Sequence, residues 1–296
     1  MSVRVLLTGA TGFVGQRLFP SLVRAGCVVR CASRDPVRAE TRFPDRDWVR
    51  IDVEEAASLA PAMDGIEVVV YLIHSIGVTA NYGEVERASA RAVREAAAQA
   101  GVRHVVYLGG VEPVGTPSTH LRSRLETGAQ LRDGAVPATE LRAGMIIGQG
   151  SESWQICSDL ARLPAMILPQ WLKTRSEPVS IDDVVAALTF ATQMRPEASA
   201  IYDLPGPDVV TARAILERIA AAKGARPFMV EVPFLTPRLS SYWLRFVTRA
   251  DYQIARELVA GLTSDLLARH PTLWSKMPGF VPTPFEQAMQ QAQRQA

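Results

Sequence analysis

The sequence has 296 residues, 48% of them hydrophobic and 21% charged, with a formal net charge of +2 at pH 7. That length and apolar content suit one α/β domain with an appended lobe, or two small domains, around an ample core. Near-neutral charge and scattered arginines offer no polyanion-binding face and argue against nucleic acid as a partner. Of three cysteines, Cys27 and Cys31 fall on one predicted strand, about 13 Å apart at the usual rise and too far to bridge, while Cys157 is distant in sequence. Reduced thiols in a cytoplasmic protein are the expectation. The first predicted strand starts at residue 3, leaving no room for a signal peptide, and the longest apolar run, Val68 to Val78, is too short to span a bilayer.

The chain opens on a β-prone run, Val3 to Leu7, that feeds into Thr8-Gly9-Ala10-Thr11-Gly12-Phe13-Val14-Gly15. Val14, Leu18 and Leu22 then recur at helical spacing, so the stretch reads as strand, glycine turn, helix. Gly9 permits the tight turn, Gly12 lets a pyrophosphate approach bare backbone, and Gly15 lets the helix pack closely on the strand. The helix N-terminus faces the phosphates. Placement directly after the first strand favours a dinucleotide site over an ordinary glycine-rich turn. Thr8, Thr11, Phe13 and Val14 are expected to contact the cofactor with the three glycines. Pro20 should kink the helix, and Gly26 closes it. The motif resembles the extended and atypical short-chain dehydrogenase/reductase superfamily.

Strand and helix signals then alternate. Strands are expected over Cys27–Ser33, Trp48–Val53, Val68–His74, His104–Leu108 and Thr139–Ile147, with helices over Glu84–Ala100 and Ser118–Arg132. Such alternation predicts a Rossmann-type α/β fold, a doubly wound parallel sheet with helices on both faces. After residue 150, prolines punctuate shorter elements: a helix over Ser153–Leu163, a strand over Pro178–Ile181, a helix over Asp182–Gln193, a strand over Ile201–Leu204 and a helix over Thr211–Lys223. Asp182 and Thr211 are the expected N-caps and Gly224 the stop signal. The expected division is an NAD(P)-binding domain over 1–150 and a smaller mixed α/β substrate lobe over 151–296, partly completing the sheet. The Gln-rich stretch 287–295 reads as a polar helix face.

The second strand ends Ser33-Arg34-Asp35-Pro36, with Arg38 one helical turn on. An acid at this point would hold the ribose hydroxyls of NAD, whereas an arginine suits the 2′-phosphate of NADP. Arg34 is a permanently charged phosphate fork, Ser33 adds a hydroxyl, and NADP(H) is preferred over NAD(H). The alternative leaves Arg34 solvated and gives the ribose to Asp35. In the superfamily the position of Asp52-Val53 often contacts the adenine; otherwise Asp52 is a loop-capping residue. The fourth strand ends Leu72-Ile73-His74, bordering the expected cofactor crevice, and His74 either shuttles protons or is structural.

The superfamily carries Ser…Tyr-x-x-x-Lys on the fifth strand and the helix after it. This chain has Gly109-Gly110 and His120-Leu-Arg-Ser-Arg124 there. His120 and Arg124 share one helix face, which keeps an acid/base followed by a cation. His120 could act as general acid and Arg124 could hold ribose or phosphate; the alternative is a polar surface beside the cofactor. Tyr107-Leu-Gly-Gly110, His120–Arg124, Leu141-Arg-Ala-Gly144, Ile147-Gly-Gln-Gly-Ser151, Pro169-Gln-Trp171, Tyr202–Pro207 and Leu235–Trp243 together resemble the YbjT-like group of atypical members. That group is related to the nicotinamide-binding accessory subunit of respiratory complex I. The resemblance covers nearly the whole chain and implies NAD(P) binding and oxidoreductase activity, without a substrate.

Trp154, Trp171, Tyr242, Trp243 and Phe246 are either core or the lining of a pocket for a quinone-like or isoprenoid substrate. Arg238, Arg245, Arg249 and Arg256, interleaved with apolar residues, fit a helix packed on its own domain or one touching a membrane surface. The reading is an oxidoreductase acting on a small apolar carbonyl, enone or quinone, with His120, Arg124 and His74 at the reacting end. The runner-up is a non-catalytic NADP(H)-binding sensor or assembly factor with peripheral membrane contact. No metal is expected, and the oligomeric state is open.

Overall fold

The computed structural model describes residues 2–74, 82–169, 173–225, 227–232 and 264–294. Its strands are β1 (Arg4–Leu7), β2 (Val28–Ser33), β3 (Asp47–Arg50), β4 (Val68–Tyr71), β5 (His104–Gly110), β6 (Ala138–Ala143), β7 (Ile146–Ile147), β8 (Ala165–Pro169), β9 (Arg175–Ser176), β10 (Val179–Ser180), β11 (Ala200–Asp203), β12 (Val210–Thr211) and β13 (Phe228–Val232). The helices are α1 (Phe13–Arg24), α2 (Pro36–Arg42), α3 (Leu59–Met63), α4 (Tyr82–Gln99), α5 (Thr119–Arg132), α6 (Glu152–Leu160), α7 (Ile181–Gln193), α8 (Ala212–Ala222) and α9 (Phe285–Arg294).

Seven strands form one parallel sheet in the order β11-β6-β5-β4-β1-β2-β3. Side chains alternate across it. Val5, Leu7, Val68, Val70, Val106 and Leu141 meet α1 and α7 on one face, and Leu6, Val69, Tyr71, Val105 and Tyr107 meet α3, α4 and α5 on the other. Both faces are covered, and β4 at mid-sheet, Val68–Tyr71, is accordingly apolar and wholly buried. A third cluster joins Ile147, Trp154, Ile215, Ile219, Phe285 and Met289 from β7, α6, α8 and α9. The stretch 287–294 accordingly keeps a polar face but buries Ala288, Met289 and Ala292 on the other. Gly26, Gly101 and Gly224 end their helices at positive φ, a conformation that glycine adopts without steric cost.

The structure amends several expected boundaries. The expected strand Thr139–Ile147 is two strands, because β7 leaves the main sheet after Ala143 to pair with β10. The third strand stops at Arg50, so Asp52 and Val53 lie in a turn. Ser180, not Asp182, caps α7, its hydroxyl accepting from Asp182 N at 3.2 Å. α1 runs unbroken through Pro20, which lies on the exposed face of the helix. Trp154 is core. Trp171, Tyr242, Trp243, Phe246 and the arginines at 238, 245, 249 and 256 lie outside the described residues.

β6 also holds a buried ionic network that an apolar strand would not. Glu140, fully buried, accepts Nε–H bonds from Arg132 and Arg142, each at 2.8 Å, and Arg142 Nη1 reaches Glu112 at 3.1 Å. Its carboxylate fills the space over Gly128 on α5, where an added Cβ would stand 2.4 Å from it. At the sheet edge, Asp203 on β11 accepts the backbone N–H groups of Arg269 and His270, at 2.6 and 2.8 Å, and so fixes the returning segment 264–272.

Candidate functional site

A cavity of about 510 Å³ opens at the carboxyl ends of β1, β4, β5 and β6. Such a crevice is where open α/β sheets take their ligands. Gly9, Gly12, Phe13, Val14 and Gly15 form one wall, with Leu72, His74, Gly109, Gly110, His120 and Arg124 beside them. Met145, Ile146, Ile156, Cys157 and Leu266 form an apolar far wall, relieved by Ser151, Glu152 and Ser153 at the start of α6.

The glycines are required by contact. Gly9 has φ +64°, and a Cβ there would stand 3.0 Å from the Leu72 carbonyl oxygen. A Cβ on Gly15 would stand 2.3 Å from Gly9 O, so only glycine lets α1 approach its own turn. This bare cradle at a helix N-terminus fits a dinucleotide pyrophosphate. Thr8 lies beneath the cradle rather than in it: its buried hydroxyl donates to Val70 O and accepts from Leu72 N, both at 3.1 Å, and ties β1 to β4. Thr11 is exposed at the rim.

Ser33, Arg34, Arg38, Asp52, Val53 and Ile73 do not line this cavity. The Ser33 hydroxyl is spent on its own turn, donating to Asp35 O at 3.0 Å and accepting from Asp35 N at 3.2 Å. The Asp35 carboxylate caps α2 by accepting from Arg38 N at 3.0 Å. Arg34 and Arg38 are exposed and have no ion pair or hydrogen bond from the guanidinium among the described residues. Asp52 caps its own loop, accepting from Glu54 N at 3.1 Å, and Val53 packs against the core beneath.

At the opposite end, β5 finishes in Gly109-Gly110, and a Cβ on Gly109 would stand 3.0 Å from Glu140 Oε1. A Cβ on Gly110 would stand 2.9 Å from Leu121 Cδ2 and 3.6 Å from Arg124. Arg124 donates through Nη2 to Leu108 O, which aims its guanidinium across the strand end. Ser118 caps α5 by accepting from Leu121 N, and that cap sets His120 in the first turn. His120 is 8% exposed, and its Nδ1 is enclosed without a hydrogen-bond partner. Its ring meets that of His74 edge-on. Burial pushes the His120 imidazole down to about 3, and Arg124 and then His74 add to the shift. The His74 ring is exposed by surface area yet crowded by protein at longer range. That crowding lowers its pKa, and the Arg124 charge adds to the shift. Both rings are neutral at neutral pH.

Among the described residues no three His, Cys, Asp or Glu side chains gather to hold a metal, and no helix is long and apolar enough to cross a membrane.

A glycine cradle at the head of a seven-stranded parallel sheet, opening on a cavity with polar groups at one end, defines a Rossmann-type nucleotide-binding protein. Residues 9–141 match the family model described as NAD(P)H-binding. It is 28% identical over 229 residues to the (4-alkanoyl-5-oxo-2,5-dihydrofuran-3-yl)methyl phosphate reductase of Streptomyces griseus, covering 77% of this chain and 76% of that one. It is also 28% identical over 238 residues to the ceramide reductase of Caulobacter vibrioides, covering 77% of this chain and 73% of that one. Among solved structures, the NADPH-dependent quinone oxidoreductase of Escherichia coli complexed with NADPH superposes with TM-score 0.76 at 20% identity, over 97% of this chain and 98% of that one. The triphenylmethane reductase of Citrobacter sp. complexed with NADP(H) superposes with TM-score 0.76 at 17% identity, over 99% of this chain and 100% of that one. The fold is thus shared with reductases, and the family-model match supports NAD(P)H binding.

Proposed function

We propose that the protein is a cytoplasmic, NADPH-preferring reductase of a small apolar carbonyl, enone or quinone. One observation carries this reading: a single cavity joins the glycine cradle to His120, His74 and Arg124 and faces them with an apolar wall. Residues 1–150 would hold the cofactor and 151–296 would supply most of the substrate wall. The two reductases at 28% identity and the NADPH-bound neighbours favour the same class. Arg34 and Arg38, exposed beside the second-strand end, are free to take the 2′-phosphate, while the cap made by Asp35 diverts it from the ribose.

Bound NADPH would supply the hydride. The protein must then stabilise negative charge growing on the substrate oxygen and deliver a proton to it. His120, which lines the cavity, would do both through Nε2, its Nδ1 being enclosed. With its imidazole held neutral, it acts as an N–H donor rather than as an imidazolium acid, as neutral histidines do elsewhere. The fixed charge of Arg124 stabilises both the oxyanion and the imidazole that has given up its proton. His74 is the adjacent group through which that proton can be replaced.

The competing reading is an NADP(H)-binding sensor without turnover, favoured by the absence of a serine at Gly110 and of a tyrosine at His120. A screen of quinones and enones under NADPH consumption separates the two. Turnover of at least one acceptor is expected; tight NADPH binding with no turnover of any would establish the sensor.

A further inference from the structure

The carbonyl oxygens of the glycine turn are all taken by donors from within the protein. Gly9 O accepts from Gly12 N at 3.0 Å, and Gly12 O from Gln16 N at 3.0 Å. Thr11 O accepts from Gln16 Nε2 at 2.5 Å and Phe13 O from Arg17 Nη1 at 3.1 Å. Ala10 O accepts from Arg46 Nη1 at 3.2 Å, across 36 residues of sequence. A carbonyl dipole aimed at a phosphate repels it, and an amide N–H attracts it. Tying every carbonyl back is what leaves the concave side of the turn to its N–H groups.

Arg46 is the one donor in this set from outside the motif and its helix. Its side chain is only 7% exposed, and its charge lies 4.4 Å from the Phe19 ring centroid and 4.1 Å from that of Phe43. Its nearest carboxylate contact, Asp45 Oδ1, is 3.9 Å from Nε and belongs to an exposed side chain. Nε itself is enclosed without a hydrogen-bond partner. Aromatic faces compensate such a cation only in part, and an enclosed guanidinium with no close carboxylate is costly to keep. An anion on the far side of the Ala10 peptide would complete the balance.

We propose that Arg46 is a positioning residue of the dinucleotide site: it turns the Ala10 carbonyl away from the diphosphate and sets a permanent positive charge beneath it. Gln16 does the first of these jobs for Thr11. The inference rests on NAD(P)H binding by this turn. It concerns the diphosphate that NADPH and NADH share, and so differs from the role given to Arg34, which serves the 2′-phosphate alone.

The test is calorimetric titration of wild type, R46M, R46K and Q16A with NADPH and with NADH, beside the melting temperature of each apo protein. R46M is expected to lose about tenfold or more in affinity for both dinucleotides, by the same factor. R46K should recover part of that loss. Q16A should weaken both dinucleotides with an unchanged apo melting temperature, which a merely structural role would not produce. If R46M does not fold, R46K and Q16A carry the same comparison. Variants that bind both dinucleotides within about twofold of wild type overturn the proposal, and so does a loss confined to NADPH. Wild type binding neither dinucleotide would defeat the underlying reading of the turn itself, a distinct result.

Discussion

The rings of His74 and His120 meet edge-on, with centroids 6.4 Å apart and planes inclined at 61°. One follows β4 and the other lies in the first turn of α5, so two crossovers converge to make the pair. Arg124, one turn beyond His120, sets its charge against both. If His120 delivers the proton, H120Q should reduce turnover by roughly 100-fold or more while leaving NADPH affinity nearly unchanged. R124A should weaken both. Full activity in H120Q would move the role to His74 or to solvent.

The protonation state of that pair shapes the pH profile. An unperturbed histidine titrates near 6.5. His120 is held at about 3, and His74 is displaced in the same direction. Turnover should therefore show no break near pH 6.5 and should decline only in stronger acid, where the rings take up protons. A kcat profile that falls through a midpoint near 6.5 would contradict neutral-imidazole catalysis.

Stability should respond over a different range. His104 is fully buried, bonded through Nε2 to Thr139 Oγ1 at 2.8 Å, and burial holds it at about 4. His104 and His120 both have folded pKa values below the unfolded value of about 6.5. The unfolded chain then binds more protons, so stability is complete above pH 6.5 and falls as the pH drops toward 4 and 3. Each ring contributes a slope of up to about 1.4 kcal/mol per pH unit within that window. Chemical denaturation at pH 7, 6 and 5 would show it, before most carboxylates titrate. A flat curve over that range would mean the rings are not enclosed in the folded protein.

Cofactor preference turns on Arg34. R34A should weaken NADPH by about 1.5–3 kcal/mol, the worth of a lost charge-assisted contact, and change NADH little. Wild-type protein that binds NADH as tightly as NADPH would remove the basis for the assignment.

Gly128 sets helix propensity against packing. Alanine in mid-helix is intrinsically better than glycine by about 1 kcal/mol. Here its Cβ would stand 2.4 Å from the Glu140 carboxylate, which Arg132 and Arg142 hold in place. G128A should therefore destabilise the protein by about 1–3 kcal/mol. An unchanged or higher melting temperature would show that the buried network yields.

The glycine turn was legible in the sequence because its residues are dictated by contacts a few positions away: Gly15 is glycine because Gly9 O is there. His120 and Arg124 were legible because helical spacing alone puts them on one face. The tie from the Thr8 hydroxyl to β4 was not legible, since a hydroxyl beneath a turn and one within it look alike in sequence. Arg46 left no signal, because its partner Ala10 is reached only through the fold. The ionic network around Glu140 was hidden for the same reason: its partner Arg132 comes from a helix crossing above β6. Leu266 on the far wall depends on the path of segment 264–272 back to the sheet edge, where Asp203 receives it.

Asp183, buried near the start of α7, accepts the backbone N–H and the hydroxyl of Thr283, at 2.7 and 2.8 Å, exactly one hundred positions further along the chain. Burial raises its pKa, and these two bonds offset that. During synthesis at ~5–20 residues per second, α7 can settle against the sheet roughly 5–20 s before Thr283 exists to meet it. For that interval the nascent protein must either keep Asp183 wet, with α7 held off its seat, or bury it protonated. Slowing or arresting translation between the two positions should thus yield a protease-sensitive intermediate whose last layer is still open.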